Sequence, residues 1–151
     1  MLIRMRSAAG VLAGAALLCS TMPAHAGDVI GIAPLLESFA GTTITATCTV
    51  KPSGLSLDPT ANPYYVAGVA TVVSTQVPVS IALRCRLRNA ASGQQVGAAQ
   101  QLAMAGNTVA VAGVIPVSTM GPFNICTSVS VVFSNSSRID TSESCLPVVG
   151  S

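Results

Sequence analysis

The sequence predicts an all-β protein: a two-sheet antiparallel β-sandwich of about seven strands with two disulfides, preceded by a signal peptide. Three observations predict it. Apolar and polar residues alternate over several short runs, the pattern of a strand buried on one face. The apolar residues are mostly valine and alanine, with only three phenylalanines and no tryptophan, while threonine and serine fill most polar positions; β-branched residues of this kind favour strands. Proline, glycine and asparagine gather between the runs, where turns need them.

Met1 to Arg6 carries two arginines, Ala8 to Cys19 is an uncharged apolar run, and Ala24-His25-Ala26 has the small-residue pattern of a cleavage site. Residues 1–26 therefore read as a secretory signal peptide. The apolar run is shorter than the roughly 20 residues of a membrane-spanning helix. Cys19 is a poor lipid acceptor, because Leu18 stands where a lipoprotein signal has a small residue. Residues 27–41 stay open: Val29 to Phe39 is apolar but broken by Pro34, and fits an edge strand, a helical turn or a loose arm. Residues 42–151 read as the sandwich domain.

In Thr43 to Val50, Ile44, Ala46, Cys48 and Val50 alternate with four threonines, a half-buried strand. Asp58-Pro59-Thr60-Ala61-Asn62-Pro63 is a loop, since each proline restricts its own and its neighbour's backbone. Val66 to Ser74 is a less regular strand. Val66 to Leu83 also runs eighteen residues without a charge, but Pro78, the valine and threonine content and Ser74-Thr75-Gln76 argue against a membrane helix. Val79, Ile81, Leu83, Cys85 and Leu87 form the inward face of the next strand. Asn89-Ala90-Ala91-Ser92-Gly93 reads as a hairpin turn. Gln94 to Met104 and Thr108 to Val117 follow as strands around the turn Ala105-Gly106-Asn107. After Met120-Gly121-Pro122, Phe123, Ile125, Val129, Val131 and Phe133 form another apolar face, interrupted by Thr127. Ile139 to Cys145 is the last strand.

Loss of residues 1–26 leaves 125 of the 151 residues, enough for one domain with a real core. It also changes the charge. The whole chain is formally +2, but the remainder sets Lys51, Arg84, Arg86, Arg88 and Arg138 against Asp28, Glu37, Asp58, Asp140 and Glu143, a balance of zero. Nothing here argues for nucleic acid or an acidic membrane. The only histidine, His25, is removed with the signal peptide.

Four cysteines remain: Cys48, Cys85, Cys126 and Cys145. In an exported chain they read as two disulfides. Cys48 and Cys85 lie in the inward register of their strands, whereas Cys126 shares the outward register of Asn124, Ser128 and Ser130. Parity thus pairs Cys48 with Cys85 across the core and Cys126 with Cys145 near the C-terminal edge. The loops so closed, about 38 and about 20 residues, are worth roughly 3 to 4 kcal/mol each. A zinc site would need close cysteine pairs or histidine, and neither is present.

The stretch IALRCRLR places Arg84, Arg86 and Arg88 on one strand face, about 7 Å apart. Like charges in a row repel, so the row calls for a counter-charge: a loop acid, the C-terminal carboxylate or an external anion. It reads either as a solvated face that keeps an edge from aggregating or as a contact for an anion or partner. Without interleaved aromatics it does not read as a base-stacking surface. Tyr64 and Tyr65, at a loop-to-strand boundary, are a second candidate contact, one packing and the other facing a partner. Asn89 to Ser137 holds no charged residue, which makes exposed edges there a pairing or assembly surface.

Catalysis finds little support. Without histidine the usual serine and cysteine nucleophiles lack their base. Asp140 and Glu143 would project to opposite sides of a strand, and a glycosidase pair must face one cleft. Lys51 beside Pro52 reads as a surface charge. Asn135-Ser136-Ser137 is a formal glycosylation sequon.

The run from Val114 to Ser137, VIPVSTMGPFNICTSVSVVFSNSS, with Cys85-Arg86-Leu87 leading into Ser92-Gly93-Gln94-Gln95-Val96-Gly97, resembles small exported proteins of actinobacteria. The resemblance implies an immunoglobulin-like β-sandwich and an extracellular setting, with no catalytic residues to carry over; the region before Thr42 departs from it. The expectation is a secreted, non-catalytic binding domain, free of cofactor and metal, in the medium or at the cell envelope. Its partner would be a protein or an anionic envelope polymer, with no nucleic acid and no stable membrane insertion, and the chain itself monomeric or weakly self-associating. The alternatives are a structural subunit of a surface assembly and, more remotely, a small hydrolase.

Overall fold

The computed structural model describes residues 28–53, 62–117, 119 and 121–150. Residues 1–26, which the sequence reads as a signal peptide, most of the loop at 58–63 and Met120 lie outside the described residues. The described chain forms β1 (Gly31–Phe39), β2 (Thr42–Pro52), β3 (Asn62–Ser74), β4 (Pro78–Asn89), β5 (Gln95–Ala103), β6 (Thr108–Val117), β7 (Phe123–Phe133), β8 (Arg138–Asp140) and β9 (Ser144–Pro147). They make two antiparallel sheets, β1-β2-β3-β6 and β5-β4-β7-β8, with β9 continuing beside β7.

Alternation builds the core. Ile44, Ala46, Cys48 and Val50 of β2 are buried and face Ile81, Leu83, Cys85 and Leu87 of β4 and Ile125, Val129 and Val131 of β7 within one apolar cluster. The disulfide Cys48–Cys85 joins β2 to β4 and so ties the sheets together, with both cysteines inaccessible. Gly68 on β3 makes room for it: a Cβ there would lie 2.6 Å from Cys85 Sγ and 3.0 Å from the Thr47 carbonyl oxygen. The second disulfide, Cys126–Cys145, joins directly facing residues of β7 and β9. Both pairings are those that strand parity predicts.

The open segment at 27–41 contains a strand. β1 is the edge of the first sheet, where proline is tolerated because one side of the strand has no ladder to complete. Pro34 uses that side, its carbonyl accepting a 2.7 Å hydrogen bond from Ser144 Oγ. The hairpin turn stands as read: Gly93 adopts φ +74°, its N–H bonds to the Asn89 carbonyl, and Asn89 Oδ1 accepts the N–H groups of Ala91 and Ser92.

Three expectations need correction. Val79 is 39% exposed instead of inward, because the β4–β7 register shifts between Pro78 and Ser80 and turns it out. Lys51 is only 2% exposed, its ammonium 5.8 Å from the centre of the Tyr65 ring. The last strand is two strands. Between β8 and β9 the chain leaves the ladder, and Ser142 bonds through both its N–H and hydroxyl to the Glu37 carboxylate of β1. Those bonds, with Val149 N–H to the Ile30 carbonyl, close the sandwich along β1. Thr127, the polar break in β7, points inward and satisfies its buried hydroxyl on the Ala33 carbonyl at 2.6 Å.

The strand order differs from that of an immunoglobulin constant domain, whose third strand crosses to the second sheet. Here β1, β2 and β3 run as a meander in the first sheet, and β6 returns to pair with β3.

Candidate functional site

Strand alternation sends Arg84, Arg86 and Arg88 of β4 to the outer face of the second sheet. Pairing sets Arg84 opposite Ser128, Arg86 opposite Cys126 and Arg88 opposite Asn124 on β7. Beyond β7 lie β8 and β9, so the break between them decides what the arginines meet. It brings in Glu143. Arg86 Nη1 donates to Glu143 Oε2 at 2.9 Å, while Arg88 grips the same carboxylate with Nε at 3.0 Å and Nη2 at 3.3 Å. Arg88 also donates to the Gly93 carbonyl at 3.1 Å, which links the clamp to the hairpin turn. The Arg86–Glu143 pair spans the β7 position of Cys126. This outward-register cysteine is therefore fully buried, whereas Cys145 is exposed.

Burial disfavours the charged form of Glu143, but the hydrogen bonds and charges of Arg88 and Arg86 outweigh it and hold the carboxyl below the ordinary glutamate range. Asp140, on β8 opposite Ser130, accepts from the Ser130 hydroxyl and from Arg138 Nε. The Ser130 bond leads in lowering its pKa, with Arg138 and the more distant charge of Arg84 adding to it against slight desolvation. The expectation that Asp140 and Glu143 face opposite sides is thus corrected: both line one cleft of about 250 Å³, with Arg84, Arg86, Arg138 and Ser128 around them.

That cleft has the carboxylates of a hydrolytic pair without the required protonation. Glycoside cleavage needs one carboxyl kept protonated by a raised pKa, and here both are lowered. The volume is also below that of a usual small-molecule site. Glu143 lies beside the sulfurs of Cys126 and Cys145, with all three ligand atoms within 4.8 Å of one another. Both sulfurs are joined in a disulfide, so they offer no thiolate to a metal.

Among the described residues, Arg84 differs from its neighbours. It is exposed and its side chain makes no hydrogen bond or ion pair, while Arg86, Arg88 and Arg138 each hold a carboxylate. Tyr64 and Tyr65 are on β3 in the other sheet and do not join this face. Tyr64 packs edge-on against Phe123, centroids 6.1 Å apart, and Tyr65 faces outward beside Lys51. Sequence reasoning located the arginines but missed Arg138, Asp140 and Glu143 as their neighbours. The signal for Glu143 was the row's need for a counter-charge.

Two intramolecular disulfides are typical of proteins in oxidising compartments outside the cytoplasm. Among the described residues no helix is long and apolar enough to cross a membrane. No protein-family model, curated protein or solved structure matches the chain.

Proposed function

We propose that the protein is an exported, non-catalytic interaction domain that meets its partner through the outer face of the second sheet. The observation that carries this reading is Arg84, an exposed guanidinium with no ion pair of its own and only the more distant charge of Asp140 near it, in a row whose other members are clamped. Glu143 holds Arg86 and Arg88 in place, so the face is preorganised, and Arg84 is the arginine whose whole guanidinium is uncommitted. A preorganised surface loses less freedom on binding. Arg86 and Arg88 share the single Glu143 carboxylate and Arg138 pairs with Asp140, so with Arg84 the face keeps a net positive charge confined to one short patch instead of a long cationic track. That favours a protein partner with a carboxylate at the matching position over a linear polyanion.

Export is supported by the signal-peptide pattern of residues 1–26 and by the two disulfides. The likeness to exported actinobacterial immunoglobulin-like proteins is, on this reading, one of architecture: two facing sheets tied by a buried disulfide, with a different strand order.

The test is retention on washed cells of the producing organism. Arg84→Ser should lower the retained fraction about tenfold, the effect of losing an interaction worth roughly 1.4 kcal/mol, while Arg84→Lys keeps part of it. Retention that Arg84→Ser leaves unchanged refutes the assignment. Retention abolished by moderate salt in wild type and both variants alike would favour the polyanion instead.

A further inference from the structure

Charge is segregated between the two faces of the sandwich. Arg84, Arg86, Arg88, Arg138, Asp140 and Glu143 all belong to the outer side of the second sheet. Among the described residues, the outer face of the first sheet exposes no charge; Lys51, its one ion, is buried beside Tyr65. The register makes that face a mosaic of threonines and aliphatics. Leu36 lies beside Thr45, Thr47 beside Val69, and Thr43 beside Val73. Leu36 is 70% and Val73 66% exposed, with Val69 at 39% and Val114 at 48%. Water-facing sheets carry polar and charged residues outward, and this one carries exposed aliphatic side chains instead.

We propose that two copies of the protein stack these charge-free faces against each other about a two-fold axis. The available area fits a weak dimer. Thr49, Lys51 and Ala67 are already buried, which leaves about eight residues along each of four strands. At ~3.3 Å per residue and ~4.8 Å between strands that is roughly 500 Å² per copy. The total of about 1,000 Å² sits at the lower bound for a specific interface. A second copy is the occupant that fits. An isologous contact meets uncharged surface with uncharged surface, so no ion loses its water. Aliphatic side chains interdigitate across stacked sheets, and threonine hydroxyls find partners among those of the other copy. A lipid surface is excluded on the same chemistry, because it would leave the threonine hydroxyls without partners. Stacking in this way turns the two arginine faces to opposite sides of the dimer, so each stays free and the dimer can bridge two partners but cannot engage one flat surface twice.

Sedimentation velocity of the exported protein, from micromolar to submillimolar concentration, tests the proposal. Wild type should pass from monomer to dimer as concentration rises. Val73→Lys and Leu36→Lys, both at exposed positions, should each weaken the dimer at least tenfold. Leu102→Lys, on the outer side of the second sheet, should leave it intact. A wild-type protein that stays monomeric throughout overturns the proposal. So does a dimer that Leu102→Lys dissolves and Val73→Lys does not.

Discussion

Glu143 is the residue on which the charged face depends. Its carboxylate is gripped by two arginines while its side chain is only 24% exposed, so the clamp is worth more than the 0–1 kcal/mol of an open surface pair. Glu143→Gln should cost about 1.5–3 kcal/mol, the range for hydrogen bonds to charged groups, as measured by urea unfolding at neutral pH. The lowered pKa adds a pH signature. A carboxyl whose folded pKa lies below its unfolded value stabilises the fold above the unfolded value, here near 4.5, and loses that contribution as pH falls through the folded value. Wild-type stability should therefore decline below about pH 4.5, and Glu143→Gln should flatten the decline. Asp140 shifts the same way but adds little, because its side chain and that of Arg138 are both 58% exposed. On the inner face of β7, Thr127→Val removes the hydroxyl that donates to the buried Ala33 carbonyl; a loss of about 1–3 kcal/mol in thermal or urea unfolding is expected. An unchanged midpoint would show that the carbonyl finds another donor.

Among the elements, those legible in the sequence are those whose own alternation decides them. β2, and β4 from Ile81 onward, read correctly because each inward residue meets the core, and parity then gave both disulfides. β1 did not, since Pro34 forbids an interior strand and only the tertiary position shows it to be an edge. The division of Ile139 to Cys145 into β8 and β9 was hidden for a similar reason. Ser142 leaves the ladder to bond with Glu37, and Ser144, the first residue of β9, reaches the Pro34 carbonyl with its hydroxyl, each contact spanning more than 100 residues of the chain. The clamp on Glu143 follows from that break, which is why the arginines were visible and their counter-charge was not. The two disulfides should also differ chemically. Cys145 is exposed, whereas Cys48 and Cys85 are inaccessible in the core, and thiol exchange depends on access to a sulfur. Mild reduction of the folded protein should open Cys126–Cys145 first, read as thiol alkylation at these two positions alone. Simultaneous opening of both disulfides would contradict the burial.

At the scale of the molecule, the sequence showed that charge was scarce but could not show how it is arranged. Asn89 to Ser137 is uncharged, yet it supplies strands to both sheets. The charge-free face is instead made by β1, β2, β3 and β6, which pairing alone brings together. Strand order, too, escapes a pattern read one strand at a time: nothing in β3 announces that it stays beside β2 or that β6 returns to it. The resulting sandwich has one face of clamped ions with an open arginine and another of threonines and aliphatics, and external binding is proposed for the first. Amide NMR of the isotope-labelled protein, titrated with washed envelope fragments of the producing organism, tests that assignment most directly. Line broadening or shifts should gather at Ala82 to Arg88, Ser128 to Ser130 and Arg138 to Glu143. Perturbations confined to Thr43 to Thr47 and Val69 to Val73, or none at any residue, would contradict it.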